Sequence, residues 1–338
     1  MMNKEKTLFI FEGAKTEDKL VEKLERNFLG NRHAIKCVFD AEVYQLYRTI
    51  KEEKEFSIDI VSLLKDRTAE NAEILKDYNR DSFAYIYLFF DYDAHSTLAD
   101  DNKIKEMLSF FNDETEEGML YISYPMVEAI RHFKDLESFK SLTVKCKRRN
   151  CSYKDECHDK DECLKEPHYK NVAAADSKPQ LSNVNSYTEA VWRELIIAHL
   201  CKASDLVNDT FTLPATLISQ EAIFSRQLEK HICHKCPEVA VLSAFPLYVL
   251  DYFGAQEPEL VTYAGTQIKD INFRRTAGVS SQISLRRAWE TMKKLEVVTL
   301  PVTNQFGKLE GIIVTKDIAT SYMDVFDNHV LSQARTQY

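Results

Sequence analysis

The stretch Phe83–Phe90, FAYIYLFF, constrains this chain more than any other: it is apolar and aromatic throughout, and Asp91 and Asp93 follow at once. A continuous run of this kind reads as a strand buried on both faces, the central strand of a largely parallel sheet. The segments around it alternate in the way such a sheet requires. Thr7–Phe11 (TLFIF), Ile35–Phe39 and Met119–Ser123 read as further strands. Glu17–Phe28, with Leu20, Leu24 and Phe28 at helical spacing, reads as a helix, as do Glu42–Lys51, Ala69–Tyr78 and Lys103–Phe111. The alternation predicts an α/β layer over the first 135 or so residues.

In such a sheet chemistry gathers just beyond the carboxyl ends of the strands, and acidic residues fall there. Glu12 follows the first strand in FEGAKTE, Asp91 and Asp93 follow the central strand in FFDYDAH, and Glu128 follows the next through SYPMVE. Carboxylates from neighbouring strand ends repel one another unless cations sit between them, so Glu12, Asp91, Asp93 and Glu128 are candidate ligands for one or two hard ions. An all-oxygen set favours Mg2+, with Mn2+ close behind. The competing reading is that Asp91 and Asp93 simply cap a strand-to-helix turn.

The order EGxxTE, DxD and a later Glu, each on its strand end, resembles the Toprim domain, and within it the nuclease-like branch of OLD-family and RloB-like bacterial proteins. The resemblance covers about residues 5–135. It implies metal-assisted phosphodiester hydrolysis of nucleic acid, with Glu12 in acid–base chemistry and metal binding and with Asp91 and Asp93 holding metal. Carried over in the same way, Glu128 and Glu17 are weaker ligand candidates, Lys15 a phosphate contact and His95 an assisting group, the last two not fixed by the motif. A net charge of −9 excludes binding nucleic acid by bulk attraction, so contact would come through a local basic face or bridging cations. OLD-type relatives often work with ATPase modules. No Walker A sequence occurs here, so such a partner ATPase would be a separate chain.

Residues 144–168, VKCKRRNCSYKDECHDKDECLKEPH, change character abruptly. Cys146, Cys151, Cys157 and Cys163 in a polar stretch without apolar periodicity read as a structural zinc loop, with His158 and His168 nearby; an iron–sulfur site ranks below it. A second group, Cys233 and Cys236 with His231 and His234 in KHICHKCPE, either forms its own site or lends ligands to the first. Ser186–Cys201 reads as an amphipathic helix capped by Ser186, with Trp192 and His199 in non-functional positions. Ser219–Lys230 reads as another helix, and the apolar stretch Val239–Phe253 packs the end of this region.

Towards the end, Ser284 caps an expected helix Leu285–Leu295, followed by a strand Val297–Pro301, a turn at Asn304–Lys308, a strand Leu309–Val314 and a helix from near Lys316. Together with GIIVTKDI this order resembles one CBS motif. VLDYFG, PELVTYAGTQIKDI, ISLRRAWETMK, VVTLPVTN and GKLEGIIVTKDIATSYMDV are similar to the regulatory insert of the CBS-containing, manganese-dependent inorganic pyrophosphatases of the DHH superfamily, over residues 248–338. The resemblance implies an adenine nucleotide, AMP or ATP, at Thr315 and Asp317. With a single CBS motif, nucleotide binding implies a homodimer. The DHH signature of the catalytic part is missing, so pyrophosphatase activity is not expected.

The expected fold class is therefore α/β: a Toprim-like, mostly parallel sheet with flanking helices (1–140), a Cys-rich helical middle segment (141–247), and a C-terminal single CBS motif of α+β type (248–338). The change of resemblance near Tyr248 suggests two genes joined there. The expected function is a nuclease-like hydrolase with a nucleotide sensor. The alternatives are a noncatalytic nucleotide-binding fragment and a zinc-stapled interaction protein. The N-terminal apolar run is too short for a signal peptide, and no stretch approaches the ~18 apolar residues of a membrane helix. The expectation is a cytoplasmic protein, off the membrane, with its 8 cysteines reduced or metal-bound.

Overall fold

Thr7–Phe11 forms β1 and is buried at every position, as its unbroken apolar sequence requires. Its place is beside the central strand in a computed structural model that describes residues 6–13, 16–24, 26, 34–52, 59–147, 150–153, 155–156, 168–214, 216–253, 278–295, 297–304, 308–315 and 317–318. After β1 come α1 (Glu17–Leu24), β2 (Ala34–Val38), α2 (Val43–Tyr47), α3 (Ile60–Arg67), α4 (Ala69–Leu75) and β3 (Tyr85–Asp91). Next are α5 (Asp101–Phe110), the short β4 (Asn112–Asp113), β5 (Gly118–Ser123), α6 (Leu136–Ser141) and β6 (Thr143–Lys145). Then follow α7 (Tyr169–Ala175), α8 (Glu189–Asn208), α9 (Gln220–Gln227), β7 (Glu238–Ala240) and α10 (Ala244–Phe253).

The main sheet has the order β2-β1-β3-β5-β4. β1 pairs in parallel with β2 and β3, and β5 pairs in parallel with β3; only the edge strand β4 runs antiparallel. Four parallel strands send their carboxyl ends to one edge, which places the ends of β1, β3 and β5 side by side. The central strand runs one residue further than its apolar stretch indicates: Asp91 is inside it, paired with Ser123. Gly118 opens β5 at φ +123°, and a Cβ there would stand 2.7 Å from Leu88 Cδ1, so only glycine fits this backbone.

Phe9, Phe89 and Tyr121 turn to one face of the sheet and α10 covers them. Phe245 stacks on Phe89 with ring centroids 4.7 Å apart, and Tyr248 meets Phe9 and Phe89 edge-on. One continuous core joins this face to α8, taking in residues from Leu8 to Leu250. Trp192 and His199 of α8 are fully buried in it. A second ribbon, β6 paired antiparallel with β7, closes the region.

Several local readings change. The long helix α8 is capped by Thr188, whose hydroxyl accepts from the Val191 N–H, and Ser186 instead ends a separate short turn. The segment after Glu42 is helical only to Tyr47 and continues as a wider turn over Arg48–Glu52. Helix α3 was not apparent from sequence; Asp59 caps it by accepting from the Val61 and Ser62 N–H groups.

The chain divides into two compact units, residues 1–265 and 266–338. The smaller holds β8 (Val279–Ser280), α11 (Leu285–Leu295), β9 (Thr299–Thr303) and β10 (Leu309–Val314) in a sheet ordered β10-β9-β8. Its described core consists of Ala288, Met292, Leu300 and Ile318. The expected Ser284 cap and the hairpin of the last two strands are both present. The first hairpin strand sits two residues later than Val297–Pro301, and its Pro301 lies opposite Ile312. Among the described residues no helix is long and apolar enough to cross a membrane.

Candidate functional site

The parallel order of β1, β3 and β5 brings the predicted carboxylates to one edge. Glu12 leaves β1 with its N–H donating to the Phe89 carbonyl at 3.1 Å, which ties it to the end of β3. Its Oε2 accepts from the Asp91 N–H at 2.9 Å. Asp91 is buried at 7% exposure. Asp93 adopts φ +39°, a left-handed conformation that Asp tolerates better than most residues, and this turns the chain out of the sheet. The Asp93 N–H donates to the Pro125 carbonyl at 3.3 Å, so the turn after β3 rests on the turn after β5 that carries Glu128.

These acids are costly to ionise together. Burial, and then the charges of Asp93, Glu17 and Glu42, lift Glu12 to about 8 despite the Asp91 N–H, which acts the other way. Burial and the neighbouring Glu12 and Asp93 raise Asp91 well above the usual carboxylate range. Asp93 is raised too, by burial and by Glu42 and Glu128, against the lowering influence of His95 and Lys170. Glu17, the first residue of α1, is raised chiefly by burial.

Two oxygens in this group, Asp93 Oδ1 and Glu128 Oε2, are buried without a hydrogen-bond donor. His95 Nδ1 stands 3.7 Å from Asp93 Oδ1, and Lys170 Nζ stands 3.5 Å from Glu128 Oε1. Buried oxygens without donors, on carboxyls that repel one another, are a donor set suited to a hard cation. Among the described residues no three His, Cys, Asp or Glu side chains are arranged to hold a metal ion as they stand. The acids therefore lie at one edge of the sheet without forming a metal cage as they stand.

Three contributors had no clear sequence signal. Glu42, just before α2, accepts from the Ser96 hydroxyl at 2.6 Å and so reaches the turn after Asp93. Lys170 and Tyr169 come from α7, far along the chain. The Tyr169 hydroxyl meets His132 Nδ1 at 3.2 Å, and burial with Glu128 and Asp91 nearby pushes its phenol well up. Nothing short of the tertiary fold links these positions to the DxD turn.

The other predicted residues are placed as follows. Lys15, Cys157, His158 and Cys163 lie outside the described residues. Cys146 is buried and Cys151 half-buried, and burial pushes the Cys146 thiol up to about 12. Cys233 is exposed and Cys236 half-buried. His168 is exposed, in front of α7. In the smaller unit the Asp317 carboxylate accepts from the Val314 N–H at 3.0 Å, a local brace at the end of β10, and the half-buried Thr315 donates its N–H to Val298. His199 is a core residue: its Nδ1 accepts from the Ser243 N–H, and burial lowers it to about 3.

No family model matches the chain, and no solved structure matches it. The chain is similar to a cobalt-dependent inorganic pyrophosphatase of Clostridium perfringens (strain 13 / Type A), 29% identical over 89 residues. The match takes in 26% of this chain and 16% of that enzyme, so the chain spans about a sixth of the relative's length.

Proposed function

We propose that the larger unit is a divalent-cation-dependent hydrolase of phosphodiesters, acting on nucleic acid in the manner of the Toprim nucleases its motifs resemble. The observation that carries this reading is the convergence of Glu12, Asp91, Asp93 and Glu128 at one edge of a parallel sheet, with Glu12 bonded to the Asp91 N–H at 2.9 Å. Mg2+ or Mn2+ bound there would supply charge for the phosphate and acidity for an attacking water. Asp91, Asp93 and Glu128 are the residues that would hold the cation. Glu12, raised to about 8, is the carboxyl suited to take and return a proton near neutral pH. Lys170, beside Glu128, adds a positive charge where a phosphate would lie.

The test is cleavage of single- and double-stranded DNA and RNA with Mg2+ or Mn2+, against Asp91→Ala. Cleavage by the parent and its loss in the variant is the expected result. Metal-independent cleavage, or cleavage that survives in Asp91→Ala, would remove the assignment.

A second reading is favoured by the similarity to the cobalt-dependent pyrophosphatase. In it the smaller unit is a CBS-type sensor of an adenine nucleotide, with Thr315 and Asp317 as its contacts and a second copy completing the pair. Thermal stabilisation by AMP or ATP that disappears in Asp317→Ala supports it; an unchanged melting temperature in the parent removes it.

A further inference from the structure

Helix α11 is basic in a chain whose net charge is −9. Its sequence, LRRAWETMKKL, sets Arg286, Arg287, Lys293 and Lys294 against one acid, Glu290. Ala288 and Met292 are buried in the core of the smaller unit and fix which side of the helix faces out. At about 100° per residue the basic side chains fall together on the side opposite Ala288 and Met292, over about 12 Å of the helix axis. All of them are exposed. Arg286 pairs with Glu290 at 3.2 Å, while Arg287, Lys293 and Lys294 form no ion pair among the described residues.

An aromatic ring borders this face. Trp289 is 37% exposed, although an indole is ordinarily well buried where a core can take it. The Lys293 ammonium stands 5.0 Å from the centre of its ring. Leu285, also exposed, adds apolar surface one turn before it. A charged helix face alone is ordinarily just solvated, but cations grouped around an exposed indole are a more specific combination. Each nucleotide of a single strand offers a phosphate to the cations and an unstacked base to the ring. A duplex keeps its bases stacked on one another and offers only its phosphates. A base on the indole would take the place of the Lys293 ammonium and free it for an adjoining phosphate.

We infer that the outward face of α11 binds single-stranded nucleic acid, with Trp289 stacking on a base and Arg286, Arg287, Lys293 and Lys294 meeting the phosphates beside it. The net charge of the chain repels a polyanion, so such a local basic face is where one can be held. The surface uses none of the acidic residues of the larger unit, and neither Thr315 nor Asp317. It rests on the reading of the chain as a nucleic-acid hydrolase only in the identity of the ligand, and it narrows that ligand to single strands.

The experiment is titration of the full-length protein with a short single-stranded oligonucleotide of mixed sequence, in EDTA, followed by tryptophan emission. The chain has 2 tryptophans and Trp192 is fully buried, so quenching reports on Trp289. Saturable quenching is expected, with affinity falling about twentyfold between 50 and 200 mM salt for three neutralised phosphates. Anisotropy of a labelled strand should show affinity lower by roughly tenfold in Arg287→Glu/Lys294→Glu and by about fivefold in Trp289→Ala. The double charge reversal touches exposed side chains only, so it tests the surface without disturbing the core. No quenching in the parent, affinity unchanged in Arg287→Glu/Lys294→Glu, or a duplex of the same sequence bound as tightly would each overturn the inference. So would tighter binding to phosphatidylserine-containing vesicles, or a dimer in solution that separates in Trp289→Ala, since a second copy would then cover the face. EDTA withholds the divalent cations that the proposed hydrolase needs. Binding here without cleavage under Mg2+ or Mn2+ would thus remove the hydrolase and leave this surface, and cleavage by a chain that fails these binding tests would do the reverse.

Discussion

The two sheets of this molecule use their side chains in opposite ways. In the larger unit the strand ends bury Asp91 and Glu128, acidic groups, beside a sheet whose aromatic side chains are nearly inaccessible. In the smaller unit the described core is four residues, while Val298, Leu309 and Ile312, all apolar, are 70%, 60% and 65% exposed. Burying carboxylates costs several kcal/mol per group unless a partner is supplied. Only a region with a large apolar core can offset such a cost. Among the described residues the larger unit thus holds the core able to offset such a cost, and the smaller unit shows a core of four residues.

Four perturbations sharpen or break that comparison. The largest effect is expected from Phe89→Ala, which removes a ring sandwiched between Phe245 and its strand neighbours and should cost about 3–5 kcal/mol in urea unfolding. A cost below 1 kcal/mol would mean the aromatic face is not the reserve described. The next concerns pH. Glu12 binds its proton more tightly folded, at about 8, than at its ordinary 4.5, so between those values the native state holds more protons than the unfolded one. Stability of the larger unit, measured without added cation, should therefore fall as pH rises through that window, by up to ~1.4 kcal/mol per pH unit for each proton involved. Glu12→Gln should flatten the slope, and so should Mg2+ or Mn2+; an unaltered slope in both would contradict the electrostatic account.

Smaller again is Thr188→Ala, which removes the cap of α8 and should cost about 1 kcal/mol, whereas Ser186→Ala should cost less. The smallest is Ile312→Gln in the smaller unit, where an exposed side chain should change stability by less than about 0.5 kcal/mol. A loss above 1 kcal/mol there would show that this face is covered and that the contrast between the sheets is overdrawn.

The strands were legible because β1 and β3 are apolar runs met at once by acidic residues, and β5 is an apolar run broken by Pro125 shortly before Glu128. Those same boundaries located Glu12, Asp91, Asp93 and Glu128, since parallel strands must end at a common edge. The helix α3 was less visible because Lys65, Asp66 and Arg67 dilute its apolar stripe. Ser186 and Thr188 are both good caps, and only the fold decides between them: Ser186 closes a turn by bonding the Asn183 carbonyl. Glu42 and Lys170 were hidden for a different reason. They reach the site through long-range packing that leaves no local periodicity. The approach of Cys146 to Pro237 is of the same kind, set by a ribbon with three residues on each strand.

The central claim is that the acidic edge binds a divalent cation, and titration of Mn2+ into the protein, followed by the loss of free-ion signal in electron paramagnetic resonance, tests it most directly. The account predicts saturable binding that tightens as pH rises through about 8, as Glu12 gives up its proton, and weakens at least tenfold in Asp91→Asn. Binding equally tight in Asp91→Asn, or no binding at any pH, would contradict it.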